Sequence, residues 1–153
     1  MSKINVGRLL LGGVAAGVVM FLADGFIHEV LLHQLWIDTM TAAGRSIAED
    51  ESHRARDMAF FAVHELLKGV AIAWVYAAIR TRFGAGAKTA AVAGLAVWAI
   101  MFPLPLIAEI PTGFYGPRMV AMWSLCEIVP TVVGGLVAGF LYKEGAAASA
   151  ARA

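Results

Sequence analysis

Cysteine is nearly missing from this sequence. Its one thiol, Cys126, in 153 residues excludes an internal disulfide and any metal site built from paired thiolates. Cys126 reads as a small apolar core residue. Charge is scarce too: 15% of the residues are Asp, Glu, Lys or Arg, against about 25% in soluble domains. No run of Lys and Arg and no interleaving of basic with aromatic residues occurs, which excludes a nucleic-acid partner. The best-known metal signatures are also missing. Glu-x-x-His is not found; "HEVLLH" carries one residue too many for His-Glu-x-x-His, and "HELLK" has Lys68 where the second histidine belongs. No covalent haem-attachment motif is present.

What fills the chain instead is apolar, 60% by count. Four segments, 6–35, 58–80, 88–110 and 118–142, each reach the roughly 20 residues that an α-helix needs to cross a ~30 Å hydrocarbon core. The fold expected is therefore all-α: a polytopic four-helix transmembrane bundle over 1–143, with a flexible tail at 144–153. The first segment follows a basic start like a secretory signal, but no small-x-small cleavage site precedes Asp24, so it reads as a retained span. It is longer than a bilayer requires, and its last turns, "HEVLLHQLW", are expected at the interface with Trp36 as anchor. Residues 38–57 read as a polar connection with a short surface helix, "RTRFGAGAK" and "PTGFYGPR" as turns. Pro103, Pro105 and Pro130 lie inside spans, each removing a backbone donor, so kinks are expected in the third and fourth helices. Gly13/Gly17 and Gly135/Gly139 are small-xxx-small pairs, read as close helix packing in preference to a dimer face.

Basic residues near the span ends set orientation. Lys3, Arg8, Arg80, Arg82, Lys88 and Lys143 fall on one side, Arg152 farther out on the same side, and Arg45, Arg54, Arg56 and Arg118 on the other. That bias places both termini in the cytoplasm.

The residues that do not belong in such a chain are ionisable and collect in one layer. Asp24, His28 and Glu29 come near the outer end of the first span; His64, Glu65 and Lys68 follow the outer start of the second. Glu109 closes the third, and Glu127 lies about nine residues into the fourth, roughly 13 Å deep. Each charge near mid-membrane costs on the order of 2.5–3.5 kcal/mol, so four helices bringing such groups to one level asks for a reason. Asp24 and His28 share a helix ridge, as do His64 and Lys68, while Ser124, Glu127 and Thr131 form a polar stripe. Glu29 and His33 lie about 100° round from the first ridge and face the interface.

Asp24, Glu65, Glu109 and Glu127 oppose one lysine, an excess that a bound cation, protonated carboxyls or charged histidines would relieve. The candidate metal ligands are Asp24, His28, His64, Glu65, Glu109 and Glu127, a nitrogen and oxygen set suited to zinc, iron or manganese. A proton or cation relay through Lys68, Glu127 and Asp24 is the second use of the same groups. Haem held by His28 and His64 is disfavoured by the crowd of carboxylates. The alternative is a purely internal network of ion pairs and hydrogen bonds in an accessory subunit of a larger membrane complex. Expected partners are membrane lipid and either copies of this chain or that complex. No nucleophile, base and orienting group can be named for an enzyme.

The pieces "VGRLLLGGVAAGVV", "YAAIRTRFGAGAKTAAVAGLAVW" and "CEIVPTVVGGLVAGFLY" resemble small four-span bacterial membrane proteins of no assigned function. The resemblance covers most of the chain and rests on helix-packing residues. It implies topology, and no functional residue is carried over from it.

Overall fold

The structure, a computed structural model, describes residues 4–45 and 47–142, with 47–52 described in their backbone alone. Lys3, Lys143, Arg152 and the expected tail at 144–153 lie outside the described residues. So do the side chains of the acidic cluster Glu49 to Glu51.

Asn5 starts the first helix by accepting the Arg8 amide on its side-chain oxygen at 3.1 Å, satisfying one of the donors that a helix start leaves bare. Helix α1 (Val6–Phe26) continues into a π-helical segment, Ile27–Leu31, and after a break at Leu32 into α2 (His33–Ala42). Helix α3 (Ile47–Phe83) is the second span; α4 (Ala87–Met101), α5 (Pro103–Glu109) and a short 3-10 turn (Ile110–Thr112) make the third. The fourth is α6 (Pro117–Cys126) followed by α7 (Ile128–Leu141). The four candidate spans, Val6–Leu31, His53–Phe83, Ala87–Thr112 and Pro117–Leu141, are long and apolar enough to cross a membrane, as befits a multi-pass protein.

The kinks fall where proline predicts them. The third span is interrupted at Phe102, with Pro103 at the first position of α5, where the missing N–H costs nothing. The fourth is interrupted at Glu127, three residues before Pro130, whose missing donor leaves the Cys126 carbonyl without its usual partner. The polar stretch 38–57 is more helical than its composition suggests: α2 runs to Ala42 and α3 begins at Ile47, which confines the turn to the few residues between. Ala, Glu and Arg in "IAEDESHRARD" are good helix formers, so the second helix projects well beyond its apolar part.

Helix α1 packs against α3 and α7, and α4 against α3 and α7, closing the bundle. Glycine sets these distances. A Cβ on Gly13 would lie 2.7 Å from the Val70 Cα, and one on Gly17 2.7 Å from the Glu65 carbonyl oxygen and the Leu66 Cα. Gly94 and Gly135 bring α4 and α7 together in the same way, each against the other helix's backbone. Both small-xxx-small pairs thus serve packing within the chain. Met20, Ile72, Ala73, Tyr76, Ala93 and Ala138 fill the core, while Leu22, Leu67, Val129 and Phe140 stand on the outer surface, the pattern of a lipid-facing shell.

At the terminal end of the bundle the Asn5 amide donates to the Tyr142 hydroxyl at 3.3 Å, tying the start of the first span to the end of the fourth. The Arg80 guanidinium lies 5.0 Å from the Tyr142 ring and 5.8 Å from that of Tyr76. The polar groups of interest gather toward the opposite end.

Candidate functional site

Glu127 is the centre. It occupies the break between α6 and α7 and is fully buried, at 0% exposure. Thr131, one turn on, donates its hydroxyl to the Glu127 carbonyl at 2.7 Å, where the backbone bond from the Thr131 amide is stretched to 3.3 Å. The Trp98 indole donates to the Ser124 carbonyl at 2.7 Å across the same break, so the third span helps hold the opening in the fourth.

Three side chains converge on this point. Asp24 from α1, His28 from the π-helical segment and Glu127 each offer a ligand atom, all within 4.8 Å of one another. The His28 Nδ1 is 3.3 Å from the Asp24 Oδ1 and 3.2 Å from the Asp24 carbonyl oxygen, which orients the ring. The π-helical geometry is a real local feature, since the Leu32 amide reaches back five residues to the Ile27 carbonyl at 2.8 Å. Such insertions recur at functional positions.

Beside the triad lies a buried ion pair. The Lys68 Nζ is 2.7 Å from the Glu65 Oε1 and 3.8 Å from the Glu127 Oε2, and it sits 4.6 Å above the Phe102 ring. Both residues are 2% exposed. Lysine reaches Glu127 because side chains on a helix lean toward its N-terminus, which for α3 is the end where the acids collect.

Five of the candidate ligands thus form one connected group, but unequally. His64 lies at its rim: its side chain is half exposed, with Nδ1 3.1 Å from the Glu65 Oε1. Glu109 stands apart, exposed at the end of α5, where its carboxylate and carbonyl accept from the Thr112 hydroxyl. Glu29 and His33 face outward as their ridge predicts, and Glu29 pairs with Arg54 at 2.6 Å on the surface.

An aromatic wall completes the site, and nothing in the sequence pattern announced it. The His28 ring meets the Trp36 and Trp123 rings edge-on, with centroids 5.5 and 5.3 Å away, and the two tryptophans are 5.9 Å apart. Phe102 and Tyr115 flank Trp123 on its other sides. Trp36, expected to anchor at the interface, is half-buried with its ring against those of His28 and Trp123. In an uninterrupted α-helix, eight residues would set Trp36 about 80° round from His28. The π-helical turn and the break at Leu32 remove that offset. Tyr115 lies in the turn between the third and fourth spans, and burial, with Glu109 adding to it, holds its phenol above the usual range.

The hydrogen-bond inventory is unusual for an interior. Both Glu127 carboxylate oxygens, the Glu65 Oε2, the Ser124 Oγ and the Trp123 Nε1 are buried without a hydrogen-bond partner among the described residues. A buried polar atom so placed costs about 1–3 kcal/mol, and more when it is charged. Three carboxylates against one ammonium leave the group two negative charges over, apart from any proton. A divalent cation would close that sum. Metal–ligand distances of about 2.0–2.2 Å in a tetrahedral set put ligand atoms roughly 3.3–3.6 Å apart, so side-chain shifts of up to about an ångström would bring the triad to a common centre. No known protein family, curated protein or solved structure matches this chain.

Proposed function

We propose that this chain is a multi-pass protein of the bacterial inner membrane, with both termini cytoplasmic, that takes a divalent metal ion into its interior through Asp24, His28 and Glu127. One observation carries the reading. Glu127 is wholly buried, and a carboxylate and an imidazole from the first span lie beside it, with one ligand atom from each of the three within 4.8 Å of the others. A cation would join the three side chains and offset their charge. One nitrogen and two carboxylate ligands suit zinc, iron(II) or manganese(II), with positions left for water or a substrate. Pairing of Glu65 with Lys68 removes one negative charge and one positive, so the triad's two carboxylates match a +2 ion. By sequence, the excess of basic residues at the terminal end, Lys3, Arg8, Arg80, Arg82, Lys88 and Lys143 against Arg45, Arg54, Arg56 and Arg118, supports the orientation, which turns the site toward the outer leaflet.

The test is direct. Protein purified in detergent without chelators should carry close to one zinc, iron or manganese per chain, or take it up after stripping, and Glu127→Gln should abolish uptake. A folded wild-type protein that binds none of the three at millimolar metal would end this reading.

The 2.7 Å contact between Lys68 and Glu65 favours a second reading, in which the same groups are an internal network fixing helix register in an accessory subunit. That reading requires the chain to leave a mild detergent extract with larger partners or as an oligomer. A solitary metal-loaded monomer speaks for the first.

A further inference from the structure

Lys68 is the feature of this interior that a plain metal site would not contain. A protonated amine is no ligand, and placing one beside a cation's carboxylate works against the cation. Yet Lys68 is 2% exposed, sits over the Phe102 ring, and lies between two acids at unequal distances, 2.7 Å from Glu65 and 3.8 Å from Glu127. Four methylenes separate the ammonium from α3, and Glu127 sits on a helix break. The ammonium therefore has both the reach and the neighbour to move from one carboxylate to the other.

We infer that Lys68 sets the affinity of the interior site: its ammonium is a tethered cation that competes with the metal for Glu127, and Glu65 holds it back. The inference rests on the metal reading and adds to it the residues that control release. A site deep in a bundle that gripped a divalent ion with two unopposed carboxylates would bind it almost irreversibly. An ammonium able to take over Glu127 as the ion departs removes the cost of leaving that carboxylate bare, so both filled and vacated states keep their charges paired. Glu65 and Lys68, neither of them a member of the ligand triad, thereby acquire opposite effects on metal affinity. Removing Lys68 deletes a repulsion acting on the ion; removing the charge of Glu65 frees Lys68 to engage Glu127 fully. A pair that merely braced the helices would shift both variants the same way, or neither.

The experiment measures the dissociation constant for Mn2+, with the full chain in detergent or nanodiscs, from the electron paramagnetic resonance signal of the free ion. Lys68→Met should tighten binding at least about tenfold and Glu65→Gln should weaken it at least about tenfold, as expected for one unit charge acting across a few ångströms of protein interior. Unchanged or weaker binding in a folded Lys68→Met, or unchanged or tighter binding in Glu65→Gln, overturns the inference. Lys68→Met leaves two buried acids without a counter-ion and is the variant at risk of misfolding. Should it not fold, Lys68→Gln, which deletes the charge and keeps a polar head, takes its place with the same expected tightening and the same overturning result. A wild-type protein that takes no Mn2+, zinc or iron while Lys68→Met takes Mn2+ would sink the proposed function and keep the inference; silence of both toward all three metals sinks the two together.

Discussion

The Thr131 hydroxyl donates to the Glu127 carbonyl at 2.7 Å, and it does so where the fourth helix is broken. Glu127 keeps its backbone bonds to Trp123 at 3.1 Å and Thr131 at 3.3 Å, and the hydroxyl adds a second donor to its carbonyl where the latter bond is stretched. Thr131 also lies 3.1 Å from the Ile128 carbonyl, so one hydroxyl is shared between the carbonyls of Glu127 and of the residue after it.

Replacing Thr131 by Val keeps the shape and deletes those bonds. Thr131→Val should lose about 0.5–1.5 kcal/mol of stability, the usual net worth of a buried hydrogen bond. It should also weaken metal binding by misplacing Glu127. Denaturant unfolding in detergent, followed by a Mn2+ titration, reads both. An unfolding midpoint equal to wild type would show that the hydroxyl does not support the break.

Close packing between the first two spans carries the site's geometry, since α1 brings Asp24 and α3 brings Glu65 and Lys68. Gly17 faces the Glu65 backbone so closely that a Cβ there would sit 2.7 Å from the carbonyl oxygen. Backbone cannot give way as a side chain does. Gly17→Ala should therefore cost about 1–3 kcal/mol, the range for overpacking a filled interior. Gly25→Ala in the same span meets nothing within 4 Å and should be close to neutral. Thermal unfolding of the two variants side by side distinguishes a packing effect from a general intolerance of the span.

Much of this was legible in the sequence, and the reasons can be located. Four spans follow from apolar length, and both interruptions follow from Pro103 and Pro130, because a missing N–H acts locally whatever surrounds it. Asp24 and His28 met through i,i+4 spacing, and Glu127 joined them because all three were placed at one depth. Trp36 and Trp123 were not legible, because their contact with His28 depends on a π-helical turn in "IHEVL" that carries no composition signal. Glu109 was assigned to the right end of the bundle, but depth alone says nothing of which way a side chain turns, and it turns outward.

Members of the buried triad and bystanders separate cleanly in this arrangement. Asp24→Asn and His28→Ala should each weaken Mn2+ binding at least about tenfold, the scale on which lost charge or a lost metal-ordering group is felt. Glu109→Gln and His33→Ala, exposed and away from the triad, should stay within about twofold of wild type, since distant sites act independently. Parallel titrations of the four variants check this. A loss in Glu109→Gln matching that in Asp24→Asn would relocate the site to the span ends.

Fluorescence offers a readout that needs no metal analysis. Of the four tryptophans, Trp36 and Trp123 touch the His28 ring, Trp98 donates to the Ser124 carbonyl, and Trp74 is 58% exposed on the outer surface. A paramagnetic ion held by Asp24, His28 and Glu127 would lie close to the first pair and far from Trp74. Mn2+ should therefore quench the intrinsic emission saturably, and Trp36→Phe combined with Trp123→Phe should remove most of the quenching. Trp74→Phe should lower the total emission while leaving the quenched part intact. Saturable quenching that vanishes with Trp74→Phe instead would place the ion at the lipid-facing surface, outside the aromatic wall around His28.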